Sequence, residues 1–175
     1  MDLGSPMEAI TRVRIDHHIL NTMYMTAIGD QMFWGAYRLL AVITGIASVV
    51  LLTRAASYRS GPQRFLAILL AGFSYPLIHY SSEARGYAPA ICFSIAAFIF
   101  LQEGWKRPRL IFRLFFWVFS ILALLAHITA LYPLLGMTAW SLFRTISAWR
   151  SDREKARKEA GDCILTYLPA YAAMM

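Results

Sequence analysis

The sequence predicts an all-α protein, a multi-pass bundle of transmembrane helices that is incomplete as it stands. Three observations predict it. Of its 175 residues 58% are hydrophobic and only 15% charged, where soluble domains are about half apolar and about a quarter charged. Long apolar runs recur along the chain, separated by short basic loops. The remaining ionisable residues gather in the other loops, on the opposite side of the weave.

Five apolar stretches follow an amphipathic opening, which occupies residues 1–38 as an extracytoplasmic loop with an interfacial helix. The transmembrane region, 39–175, starts with a span from about Leu39 to Thr53. A second covers Phe65 to Tyr80, with Pro76 near its end, and a third Ala88 to Leu101. The run from Leu110 to Phe143 is interrupted near His127 and Pro133, and reads as two helices meeting at a tight turn. The last stretch runs from Cys163 to Met175, giving about five spans with the final one truncated. A helix needs roughly 20 residues at about 1.5 Å each to cross the hydrocarbon layer, so the last stretch is too short to do so. With no span ahead of the long opening, the chain reads as a fragment missing a helix in front and several behind.

The basic residues orient this weave. Arg54, Arg59 and Arg64 lie between the first two spans, and Lys106, Arg107, Arg109 and Arg113 around the third loop. Arg144, Arg150, Arg153, Lys155, Arg157 and Lys158 follow the long run, making thirteen of the 17 basic residues. Short cytoplasmic loops carry the Lys and Arg excess. These loops are therefore expected in the cytoplasm of a cell (inner or plasma) membrane protein. The net charge of +7 does not indicate nucleic acid, which needs a basic patch on a soluble module. Cys92 and Cys163 fit neither a metal spacing nor a disulfide framework. No basic segment followed by an apolar run opens the chain as a signal peptide would.

All four histidines then fall on the outer side, with Asp16, Asp30, Glu83, Arg85 and Tyr87. Ionisable groups at the membrane mark functional sites. If His17 to Phe33 is helical, Leu20, Met23, Tyr24, Ala27 and Ile28 share an apolar face, while His18, Asn21 and Thr22 share a hydrogen-bonding one. That face meets either a polar cavity or only water and headgroups. His79, Glu83 and Tyr87, four apart, stack on one side if their turn is helical. Arg85 points elsewhere, its planar fork suited to phosphate or carboxylate. The alternative is a Glu83–Arg85 turn that pairs with itself. His127, alone between two apolar helices, reads as a cap or as a ligand-binding residue. Four histidines leave a divalent metal open, although no fixed ligand spacing supports one.

These segments resemble a known group, the lipid-dependent bacterial glycosyltransferases. DHHILNT, from Asp16 to Thr22, resembles their first-loop histidine motif. RLLAVITG, from Arg38 to Gly45, is similar to the "R-x-P-x-x-x-x-G" start of a span, without the proline. FSYP from Phe73 and YSSEARGY from Tyr80 resemble their "lsP…yyxxEARgY" stretch, and LAHITA from Leu125 their "thyta" stretch. The four matches keep their order over residues 14–135. The resemblance implies the GT-C fold of the protein mannosyltransferase and aminoarabinose transferase type. It also implies transfer of a sugar from a polyprenyl-phosphate donor to an acceptor glycan, lipid or protein outside the cytoplasm. Asp16, His18 and Glu83 are then the catalytic candidates, and His17, Asn21, Arg85, Tyr87 and His127 the substrate-binding ones. The acidic pair expected after the first span is displaced: Asp2 and Glu8 stand close to His18. Either the acid belongs to a preceding segment, or Asp16 or Glu8 replaces it. Two other readings compete: a transporter or flippase piece, whose site belongs near the bilayer midplane, and a non-catalytic membrane subunit.

Overall fold

The computed structural model describes residues 18–30, 32–56, 61–151 and 153–172. In chain order these form α1 (Ile19–Ile28), α2 (Trp34–Ala55), α3 (Gly61–Gly72), α4 (Tyr75–Ser82), α5 (Tyr87–Lys106) and α6 (Leu110–Ala126). A 3-10 turn (Ile128–Ala130), α7 (Leu131–Ser151) and α8 (Arg153–Ala172) follow. All regular structure among the described residues is helical, as the composition predicts.

The centre is the α5–α6 hairpin, turned at Arg107–Arg109 where Pro108 lacks the N–H a continuing helix would use. α5 buries a row of small residues that includes Ala88, Ala90, Cys92, Ser94, Ala96 and Ala97. α2 lies along its other flank and buries Ala41, Thr44, Gly45 and Ser48. Small side chains let helix backbones approach closely, which is how helices associate without a hydrophobic drive in lipid. The hydroxyls in these runs turn back onto their own helix: Thr44 donates to the Leu40 carbonyl (2.7 Å) and Ser48 to that of Thr44 (2.8 Å). Towards α6 the contact becomes aromatic, with Phe100 stacked between Phe115 (4.8 Å) and Phe119 (5.4 Å). Large apolar side chains point outward, among them Leu39, Ile43, Ile46 and Val50 of α2 and Phe65 and Leu70 of α3. A surface of that kind suits hydrocarbon rather than water.

Fewer helices among the described residues have the length and apolarity of a span than the apolar runs imply. Among the described residues two helices are long and apolar enough to cross a membrane, Gly35–Ala55 within α2 and the whole of α5. The α3–α4 pair makes a third if counted as one bent span. α6 is apolar but has only 17 residues. α7 has the length, with 21 residues, but Arg144 and a series of hydroxyl residues interrupt its apolar character. α8 starts at Arg153 rather than Cys163, and its first half is charged. Of the five spans expected, two or three are thus matched by helices of spanning length and apolarity among the described residues.

Two breaks also differ from expectation. The second apolar run is bent by 49° between Gly72 and Tyr75, just ahead of Pro76, which sits in the first turn of α4 where no N–H is required. Pro133 does not interrupt the long run. It occupies the first turn of α7, and the break is at His127 alone, in extended conformation.

α8 is held by a polar seam. The Arg113 guanidinium of α6 pairs with Asp162, the Trp117 indole N–H donates to the Thr166 carbonyl (2.7 Å), and the Tyr167 hydroxyl shares a hydrogen bond with Ser141 of α7 (2.7 Å). Beside it, Ala97, Leu101, Phe116, Leu134, Met137 and Tyr167 form the main core. With the bent α3–α4 pair taken as one unit, the helices from α2 to α7 alternate in direction, so Trp34, Glu83, Tyr87 and His127 meet at one end. Arg54, Lys106, Arg107 and Arg109 lie at the other.

Candidate functional site

Three distant segments converge at that end: His18 just before α1, the Glu83–Gly86 loop leading into Tyr87, and His127 between α6 and the 3-10 turn. The His18 and His127 rings lie 4.5 Å apart, Tyr87 lies 4.3 Å from His127 and 5.6 Å from His18, and Tyr80 stacks on Tyr87 at 4.8 Å. His79 continues the series, 5.7 Å from Tyr80 and stacked on Tyr75 at 5.6 Å. Six rings thus run in one ladder.

Polar contacts fix the ladder in place. His127 Nδ1 accepts from the Thr129 backbone N–H (3.0 Å), so the proton of the neutral ring sits on Nε2. Its neighbour His18 has Nδ1 3.4 Å from the Ala126 carbonyl. A carbonyl only accepts, so Nδ1 there carries the hydrogen. The Asn21 amide donates to the Ala84 carbonyl (3.1 Å), tying α1 to the loop. Gly86 permits the approach, because a Cβ there would strike the Ala126 carbonyl oxygen and stand 2.7 Å from His18 Nδ1.

On the far side of the loop opens a cleft of about 770 Å³. Its walls are the first turn of α2 (Trp34, Tyr37, Arg38), Met25 of α1, and the segment from His79 to Arg85. Glu83 sits between two partners, 3.3 Å from His79 Nε2 and 3.8 Å from Arg85 Nε. Its side chain is 29% exposed, that of Arg85 63%. The carboxylate is therefore held between two partners, while the Arg85 side chain stays mostly exposed. The cleft thus places one fixed carboxylate and an imidazole among two guanidiniums and two aromatic rings.

The sequence-based candidates divide between these two places. Glu83 and Arg85 line the cleft. His18, Tyr87 and His127 meet in the ladder and none of them lines it. The expected stacking of His79, Glu83 and Tyr87 fails at its last member. α4 ends at Ser82, Glu83 is extended (φ −92°, ψ 140°), and Tyr87 is carried round to His127. α1 spans Ile19–Ile28 rather than reaching Phe33, so His18 stands at its N-cap and not on a helical face. Asn21 turns to the Ala84 backbone instead of a cavity. Asp16 and His17, with Asp2 and Glu8, lie outside the described residues. Among the described residues no three His, Cys, Asp or Glu side chains are grouped to hold a metal ion. Trp34, Tyr37, Arg38 and His79 were not singled out as cleft residues by the sequence. The signal that could have found Arg38 is its charge at the mouth of an apolar run on the side poor in basic residues.

No protein-family model, curated protein or solved structure matches this chain.

Substituting Asn21 by Ala is expected to weaken the α1–loop tie by about 1 kcal/mol, the usual worth of one such hydrogen bond. Faster amide exchange across α1, with α5 unchanged, is the reading that checks it.

Proposed function

We propose that the protein is a membrane glycosyltransferase, passing a sugar from a polyprenyl-phosphate-linked donor to an acceptor on the extracytoplasmic side. The observation that carries this reading is the cleft. A fixed carboxylate, Glu83, sits there beside the guanidiniums of Arg38 and Arg85, at the end of helices whose outer surface is apolar. Retaining a carboxylate among cations suits a reaction that takes up a proton and releases a phosphate within one cleft.

The acceptor hydroxyl forms its bond to the anomeric carbon as the bond from that carbon to the phosphate oxygen breaks. The hydroxyl proton goes to a carboxylate, for which Glu83 is placed and Asp16 is the candidate from sequence. The departing phosphate takes the electron pair, and Arg85 and Arg38 stabilise its charge. His18, Tyr87 and His127 hold the loop that carries Glu83, and His17 keeps its sequence-based role in binding the substrate. The basic ends of the helices lie opposite the cleft, which supports an orientation with those ends in the cytoplasm. A transporter or flippase is the second reading, favoured by the bent α3–α4 pair. Against it, the ionisable groups line a cleft at helix ends rather than the bend.

The test is transfer of radiolabelled sugar from a polyprenyl-phosphate donor in membranes carrying the protein. Arg85→Ala is expected to lower the rate about tenfold, with Arg38 remaining as the second cation, and to leave insertion unchanged. Unaltered transfer in the Arg38→Ala/Arg85→Ala double variant sinks the proposed role of the cleft. Movement of intact donor across the bilayer without transfer would establish the flippase reading instead.

A further inference from the structure

We propose that Trp34 and Tyr37 form a stacking shelf for the sugar ring of the donor, making the first turn of α2 a specificity-determining wall of the cleft. This rests on the transferase reading above. Trp34 is 79% exposed, yet it stands at the cleft, in a T-shaped pair with Tyr37 at 6.4 Å. The Tyr37 hydroxyl donates to the Gly29 carbonyl (3.3 Å) and the Tyr24 hydroxyl to that of Ala36 (2.5 Å). The turn bearing the shelf is thus tied at two points, to the middle of α1 and to Gly29 just beyond it, and its position is set before any ligand arrives.

The chemistry of the other residues lining the cleft selects the occupant. Glu83 offers carboxylate oxygens, and the Ser82 hydroxyl, which donates to the His79 carbonyl (2.7 Å), retains lone pairs that accept. A sugar ring matches that pairing, having an apolar C–H face for an aromatic surface and hydroxyl donors around its edge. The guanidiniums of Arg38 and Arg85 take the anionic substituent of the same molecule. An aromatic surface with a few convergent polar groups is the usual make-up of a small-molecule site. The competing role for Trp34 is that of an aromatic anchor at the membrane interface. An anchor has no preference between phosphates, and that separates the two.

Binding is measured by isothermal titration calorimetry on the protein in phosphatidylcholine nanodiscs, with glucose 1-phosphate, mannose 1-phosphate and inorganic phosphate as probes. Trp34→Ala is expected to weaken a sugar phosphate about tenfold while inorganic phosphate stays within about twofold, and Trp34→Phe to retain most of the affinity. Unchanged phosphate binding also shows that the variant is folded. Equal weakening of all three probes, or of none, overturns the shelf. A wild-type protein that binds phosphate with no gain from the sugar also overturns the shelf, while the anion-binding cleft stands. One that binds none of the three removes the cleft reading together with the shelf.

Discussion

Gly86→Ala is expected to destabilise the protein by about 1–3 kcal/mol, the usual cost of overpacking, and to cut sugar transfer about 10²-fold through misplacement of the site. The backbone at Gly86 (φ −74°, ψ −2°) suits any residue, so the constraint is space. The added methyl meets the Ala126 carbonyl oxygen and His18 Nδ1. A backbone carbonyl at the end of a packed helix does not rotate away, so the start of α5 has to retreat. Retreat separates Tyr87 from His127 and displaces the loop bearing Glu83 and Arg85. Gly136 supplies the control, since a Cβ there meets nothing within 4 Å. Gly136→Ala is expected to leave stability unchanged or raise it by about 0.5–1 kcal/mol. Denaturant unfolding in micelles, run beside the transfer assay, measures both. Wild-type stability and transfer in Gly86→Ala would mean that α5 does not approach α6 as described.

Asp162→Ala is expected to loosen α8 by about 1–2 kcal/mol. Its partner Arg113 has a side chain only 20% exposed, and a guanidinium left there loses a charged hydrogen bond without gaining full hydration. The figure is kept low because the Asp162 side chain is 35% exposed and partly screened. Removing both charges restores much of the loss, since the apolar surroundings of Phe112 and Phe116 accept Arg113→Leu once its counter-ion is gone. A double-mutant cycle read by protease sensitivity of the α7–α8 junction tests this. Additive losses from the two single variants would show that the pair carries no coupling.

The sequence made some of this legible. Apolar run lengths placed the middle helices closely, because helix ends coincide with Arg54, Lys106, Pro108 and His127, where charge or backbone chemistry changes. Alternating loop charge foretold that His18, Glu83, Arg85, Tyr87 and His127 would share one end. α7 and α8 do not stand out as spans because they combine apolar stripes with residues such as Arg144 and Asp162. The separation of Tyr87 from His79 and Glu83 was hidden, since spacing by four assumes a helix that ends at Ser82. Arg113 and Asp162 lie 49 positions apart, and no local pattern links them. The shelf of Trp34 and Tyr37 was equally invisible, because an aromatic pair at the start of a span also fits an interfacial anchor.

A straight rod made of α3 and α4 would rise about 30 Å, but bent by 49° it rises only about 26 Å and its tip moves sideways by about 9 Å. His79 and Glu83 ride on that tip and the loop beyond it. The bend therefore does two things at once: it sinks the carboxylate below the rim a straight rod would reach, and swings it over the start of α2. Under the transferase reading, that lateral shift brings the carboxylate towards Trp34 and Arg38, the residues with which it lines the cleft.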